Sequence, residues 1–317
     1  MSRLTLEQKT FDATSVSAET LDTNAMILDV TDKMDDPWAA HPSVARDARK
    51  AGKGAFPLAP RSDRARTEMI DGPGGPLGLR IIAPENPNGI YLHIHGGGWV
   101  IGGPEEQDPR LERIVYNCNM AVVSVDYRLA PEDPFPAGPD DCEAAALWLV
   151  KSAKEKFGTD RMVIGGESAG AHLSALTLLR LRDRHGLSPF SGANLVAGVY
   201  DLGLTPSARN WGDEALVLNT RDMTNYVRCF LGNNEYPGDP GISPLYANLS
   251  GLPPAFFTIG TRDPLMDDTL FMSARWLAAG NGTELAVYPG GAHVFMAFPG
   301  AQASEALSRI ETFISSC

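Results

Sequence analysis

Apolar residues recur along the chain in two rhythms, and the rhythms take turns. Near-continuous apolar runs stand at 89–95, 121–126, 162–165, 193–200, 254–260 and 283–288. Short runs of this kind, bounded by turn residues, read as strands buried on both faces, as in a parallel sheet. Between them lie stretches with helical spacing, at about 105–119, 140–157, 171–184 and 303–315. Strand alternating with helix predicts an α/β fold: a mostly parallel central sheet flanked by helices and joined by right-handed crossovers. Ahead of these, 66–70 and 77–82 flank the turn sequence Asp71-Gly-Pro-Gly-Gly-Pro76 and predict a hairpin.

Two stretches depart from the alternation. Residues 1–65 are polar, with an acidic cluster (Asp32, Asp35, Asp36), a basic run (Arg46, Arg49, Lys50, Lys53) and scattered apolar positions that suggest one or two short helices. Between Asp201 and Pro253 no strand-like run occurs. Two helices are expected there, at 213–218 and 220–231, followed by a Pro/Gly-rich tail. A connection this long inside a compact domain is usually functional, and it is expected to lie over the C-terminal edge of the sheet, where open α/β folds bind ligands.

Composition narrows the partners. With 43% hydrophobic and 21% charged residues, the chain reads as globular. A net charge of −12 argues against nucleic acid or an anionic membrane as partner. No apolar run approaches a membrane span, and the first ten residues lack the apolar core of a signal peptide. Cys118, Cys142, Cys229 and Cys317 are far apart and form no C-x-x-C, so free thiols in a cytoplasmic protein are expected.

The chemistry centres on Gly166-Glu167-Ser168-Ala169-Gly170. A G-x-S-x-G sequence is a weak signal alone, but here it follows a strand and opens a helix, the context of a nucleophile elbow. The turn should strain Ser168, and larger neighbours should collide with the following helix. A serine hydroxyl needs a base, and the base needs an orienting group. Of His41, His93, His95, His172, His185 and His293, the last sits in a glycine-rich loop after the final strand, on the same rim as Ser168. Asp263 lies nearest the end of the 254–260 strand, whereas Asp267 and Asp268 suit the start of the next helix. The order Ser168, Asp263, His293 is that of the elbow class. Acyl transfer also needs donors for an oxyanion, and His95-Gly96-Gly97-Gly98 follows an earlier strand where such donors belong. The expected donors are the N–H groups of Gly97, Gly98 and Ala169. His95 reads as a loop brace, and His93 and His172 as structural.

In combination, His95-Gly-Gly-Gly-Trp99, Asp126-Tyr-Arg-Leu-Ala-Pro-Glu132, Phe135-Pro-Ala137, Gly166-Glu-Ser-Ala-Gly170, Asp263-Pro-Leu265 with Asp267, and His293 resemble the hormone-sensitive-lipase-like α/β-hydrolases, the bacterial family IV esterases. The resemblance implies an α/β-hydrolase fold with a helical cap. It divides the chain into an N-terminal arm that is part of the cap (1–65), a catalytic domain (66–201 and 241–317) and a cap insertion (202–240). It implies hydrolysis of short- to medium-chain carboxylic esters by the triad Ser168, Asp263 and His293, with no metal or cofactor. It also implies cis bonds before Pro131 and Pro136, and a possible homodimer through the last strand. Glu167 departs from the Asp found in many members and is expected to brace the elbow. The 127–132 stretch reads as scaffold. Cap residues should line the acyl and alcohol pockets, with Trp99, Trp211, Leu216, Tyr226 and Phe230 as candidates. The rival expectations are an amidase, deacetylase, lactonase or arylformamidase with the same triad and, more remotely, a non-catalytic ligand receptor.

Overall fold

The apolar runs form strands because each is long enough to cross a sheet and has no polar face to leave in water. In the computed structural model, which describes residues 4–232 and 236–317, the strands are β1 (Arg66–Gly72), β2 (Gly75–Ile82), β3 (Gly89–Ile94), β4 (Met120–Asp126), β5 (Met162–Glu167), β6 (Phe190–Val196), β7 (Ala255–Arg262) and β8 (Thr283–Ala292). Residues 1–3 of the expected arm and 233–235 of the expected insertion lie outside the described residues. The strands join in one sheet of order β1-β2-β4-β3-β5-β6-β7-β8. β1 and β2 form the expected hairpin, β2 runs antiparallel to β4, and all other pairs are parallel. Every residue of β3 and β5 is buried, while the edge strand β1 buries only Ile70.

The helices are α1 (Ala18–Thr31), α2 (Pro42–Lys50), α3 (Asp108–Cys118), α4 (Ala137–Phe157), α5 (Ala169–His185), α6 (Pro206–Asn210), α7 (Thr220–Leu231), α8 (Met266–Ala278) and α9 (Ala301–Ser316). They divide between the two faces as side-chain alternation in the strands requires. Tyr91, Val122 and Val163 meet Ile114 of α3 and Ile310 of α9 in one apolar core. Leu92, Val123 and Ile164 meet Leu149 of α4, Leu176 of α5 and Trp276 of α8 in the other. Trp276 is fully buried, and its indole N–H donates to Pro253 O at 2.9 Å, so no polar cost offsets its burial.

Two expectations about the long connection are corrected. The strand expected at 193–200 begins and ends earlier, as β6. Beyond it, Ala197 takes φ 45° and the chain leaves the sheet, its amide still donating to Thr258 O at 2.8 Å. The helix expected at 213–218 is absent, and α6 forms upstream. Pro206 supplies a preset first turn behind Thr205. Gly212 and Val217 have φ of 87° and 71°, which no helix accommodates, and Leu216 is buried beside Ile27 of α1. The bonds before Pro131 and Pro136 are both cis, as expected.

The first 65 residues pack onto the body. Asn24 donates to Gly290 O (2.9 Å), Thr31 to Ala215 O (2.9 Å) and the Trp38 indole to Asp222 (2.7 Å). On α2, Arg46 donates to Val100 O (2.8 Å) and pairs with Glu132, and Arg49 pairs with Glu106 at 2.6 Å. The arm thus touches the end of β8, the insertion and the loop after β3, three segments at the C-terminal end of the sheet. Among the described residues, no helix is long and apolar enough to cross a membrane.

Candidate active site

Ser168 stands between β5 and α5 with φ 56° and ψ −122°, a conformation that costs a non-glycine residue roughly 1–3 kcal/mol. Its amide donates to Val196 O at 2.8 Å, which helps hold the turn in the sheet. The flanking glycines are required by a close approach, and the nearest obstacle differs from the expected one. A Cβ on Gly166 or Gly170 would lie 2.1 or 1.9 Å from the Ile94 carbonyl oxygen of β3. The neighbouring strand, more than the following helix, excludes side chains there.

His293 follows β8, and Asp263 follows β7, so both side chains enter from the C-terminal ends of strands two and three places from β5 in the sheet. His293 Nε2 lies 3.0 Å from Ser168 Oγ, and His293 Nδ1 lies 2.9 Å from Asp263 Oδ2. The other Asp263 oxygen accepts from Leu265 N–H at 2.9 Å, which fixes the carboxylate plane. All three residues are buried. Ser168 O–H can donate to Nε2 while Nδ1–H donates to Asp263, the tautomer a serine base requires.

The loop after β3 bends under this group. Gly97 and Gly98 take φ of 112° and 59°, and neither amide donates to an acceptor among the described residues. Ala169 opens α5, where helical geometry leaves its N–H without an intrahelical acceptor. Tyr127 stacks on His95 at 4.2 Å and donates to His95 O at 2.9 Å, while the Arg128 guanidinium pairs with Asp141, so the 127–132 stretch is scaffold as expected. Burial pushes the His95 and His172 imidazoles down to about 4, leaving both neutral. His172 accepts from the Trp99 indole (3.0 Å) and donates to Ile242 O (2.7 Å), so it pins Trp99 to the segment just after the insertion. His93 bonds Ser124 (2.8 Å) and Glu167 (3.2 Å), His185 pairs with Glu143, and His41 caps α2.

A cavity of about 340 Å³ opens onto Ser168 and His293. Trp99 and Tyr226 line it, as expected. Trp211, Leu216 and Phe230 do not. Phe230 stacks behind Trp99 at 4.5 Å, Leu216 is buried against α1, and Trp211 lies on Arg262. The walls are instead Val199, Leu204, Leu218 and Met223, with Phe56 and Arg49 from the arm and Phe298 from beyond His293. The arm residues carried no sequence signal, since a lone Phe in a polar stretch shows no partner.

A second missed residue is Asp268. It accepts from Tyr200 N–H, Asp201 N–H and Thr205 Oγ–H at 2.6, 2.9 and 2.6 Å, tying α8 to the entry of the insertion. Burial pushes its carboxyl up to about 7 against those bonds. It does begin α8 with Asp267, as expected.

The Gly98 position yields a test. A Cβ there would sit 2.4 Å from the Tyr226 ring, and φ 59° is unfavourable for alanine. In Gly98→Ala, kcat on p-nitrophenyl acetate should fall about 10²-fold, the usual loss when an oxyanion donor is displaced. Adding Tyr226→Ala should restore part of it, and a Gly98→Ala enzyme of unchanged kcat would exclude the loop from the reaction.

A family model described as the alpha/beta hydrolase fold matches residues 91–297. Esterase LipI of Mycobacterium tuberculosis is 34% identical over 228 residues, covering 68% of this chain and 70% of LipI. Carboxylesterase NlhH of the same species is 34% identical over 215 residues, covering 66% and 67%. Among solved structures, a hyperthermophilic esterase from the archaeon Pyrobaculum calidifontis superposes with a TM-score of 0.85 at 28% identity, covering 95% of this chain and 98% of its own. A hormone-sensitive lipase from a metagenome library gives 0.82 at 28% identity, covering 94% and 97%.

Proposed function

The chain belongs to the hormone-sensitive-lipase-like carboxylesterases of the α/β-hydrolase fold, and from that premise we propose that it hydrolyses short- to medium-chain carboxylic esters through an acyl-enzyme on Ser168. The observation that carries this reading is His293, whose two ring nitrogens reach Ser168 Oγ and Asp263 Oδ2 at once. Ser168 Oγ attacks the ester carbonyl while His293 Nε2 takes its proton. Asp263 holds the imidazole and stabilises its cation. The N–H groups of Gly97, Gly98 and Ala169 bind the developing oxyanion. His293 then protonates the departing alcohol and activates a water that releases the acid.

The arm and the insertion together form the cap over this site. A cavity of about 340 Å³ lies at the lower end of the roughly 300–1,000 Å³ typical of ligand sites, which supports small acyl groups, acetyl to hexanoyl. We place the reaction in the cytoplasm, a reading supported by four cysteines that are all free thiols.

A panel of p-nitrophenyl esters from acetate to palmitate, with matched anilides and formamides, tests the reading. Rates should peak at or below hexanoate, with anilides and formamides at least about 10²-fold slower, a margin a preorganised site can supply. Faster turnover of anilides or formamides would turn the assignment to an amidase or formamidase. Failure of a fluorophosphonate to label Ser168 would leave a ligand receptor.

A further inference from the structure

Among the described residues, Glu167 is the carboxylate that joins the two halves of the site. Its backbone immediately precedes Ser168, and its Oε1 accepts the Gly96 N–H at 3.0 Å, at the start of the loop carrying Gly97 and Gly98. Glu167 lines the substrate cavity and also a second, small cavity on the α3–α9 side of the sheet, where its other oxygen lies. There it meets the Arg110 guanidinium of α3 at 2.7 Å and His93 Nε2 of β3 at 3.2 Å. Arg110 also donates to Gln107 at 2.7 Å, which fixes its direction. Around the same cavity stand Tyr91 of β3, Asn194 of β6, whose amide donates to Tyr91 OH at 3.1 Å, and Glu311 of α9. Glu311 is engaged by Arg113 at 2.8 Å and by Asn117. Arg110 is therefore the cation in contact with Glu167, and it lies on a helix that carries no residue of the proposed triad.

We propose that Arg110 is a positioning residue: it keeps Glu167 in the ionised, fixed form that holds the oxyanion loop at the correct distance from Ser168. The inference rests on the esterase reading above and deepens it. A carboxylate is the strongest acceptor available for the Gly96 amide, and a buried carboxylate survives only if a cation and hydrogen bonds offset its lost hydration. Burial by itself would raise the Glu167 pKa, and Arg110, His93 and the Gly96 amide instead hold it down at about 2. Removing Arg110 leaves a buried acid with only His93 and the Gly96 amide beside it, so it takes up a proton more readily, accepts from Gly96 less strongly and lets the loop drift. A displacement of about 1 Å at such a site can cost 10²-fold in rate without changing what the pocket binds.

The experiment compares Arg110→Met, Arg110→Lys, Glu167→Gln and the Arg110→Met/Glu167→Gln double variant on p-nitrophenyl butyrate from pH 5 to 9, each checked for a cooperative melt. Arg110→Met should lower kcat by about 10- to 100-fold with KM within about threefold, because only oxyanion stabilisation is lost. The Glu167 carboxyl, held at about 2 in the wild type, should rise by about 3–5 pH units once burial is no longer offset by the cation, and so enter the assayed range as a raised acidic limb. Arg110→Lys should restore most of the rate and the original limb. The double variant should be no slower than Glu167→Gln, since Arg110 acts through that carboxylate. Wild-type kcat and an unmoved limb in Arg110→Met overturn the proposal, as does a double variant whose losses multiply. If Arg110→Met does not fold, the Arg110→Lys limb decides: a lysine enzyme with wild-type kcat and limb supports the charge role, and one that loses rate with an unmoved limb overturns it. Failure of the wild-type enzyme to hydrolyse any ester would instead strike the esterase reading, so the two failures are told apart.

Discussion

Ser168→Ala should lower kcat on p-nitrophenyl butyrate by about 10⁵- to 10⁶-fold and leave KM nearly unchanged, as removing the nucleophile of a serine hydrolase does. Among the described residues the hydroxyl is the one oxygen that His293 Nε2 hydrogen-bonds, at 3.0 Å, and the variant retains the oxyanion donors and the pocket walls. Residual turnover would come from those donors alone. The melting temperature should hardly move, because alanine keeps the backbone of the elbow and loses one hydrogen bond worth about 1 kcal/mol. Fluorophosphonate labelling should vanish together with activity. A Ser168→Ala enzyme within tenfold of wild type would remove the acyl-enzyme from the mechanism.

Asp263→Asn should cost about 10³- to 10⁴-fold in kcat at neutral pH, through the wrong imidazole tautomer. One Asp263 oxygen accepts the Leu265 amide and the other accepts from His293 Nδ1. Asparagine has a single carbonyl oxygen, and the Leu265 N–H claims it. The NH₂ group then faces Nδ1 and donates to it, which places the ring proton on Nε2, where the serine proton must go. Activity should recover in part at high pH, where hydroxide lowers the need for a neutral base. A loss smaller than about tenfold would mean that another group orients His293, since the orienting carboxylate normally accounts for far more.

Much of this site was legible because its chemistry demands local sequence. Ser168 needs glycines where the Ile94 carbonyl approaches, so the elbow shows as a pattern. Asp263 and His293 need strand ends, and apolar runs mark where strands stop. The sheet was legible for the same reason, since a strand buried on both faces has few sequences open to it. The pocket was not. Whether Phe230 or Tyr226 of α7 faces the cavity depends on how that helix docks, and α7 docks against α6, which formed upstream of the expected helix because Pro206 starts a helix and Gly212 stops it. Arg110 was silent as well, because an arginine on a helix rich in charge looks like a solvated face until Glu167 is placed beside it.

The walls of the substrate cavity come from residues such as Phe56, Leu218, Met223 and Phe298, apolar side chains that take no part in the hydrogen bonds of the Ser168–His293–Asp263 relay. Selectivity and reactivity are therefore separately mutable. Drift at the wall positions of the arm and the insertion can retune which acid or alcohol is accepted while the reaction itself is inherited intact, and a library confined to those positions, sparing Tyr226 beside Gly98 and Arg46 beside Val100, would explore new esters with little risk to the chemistry.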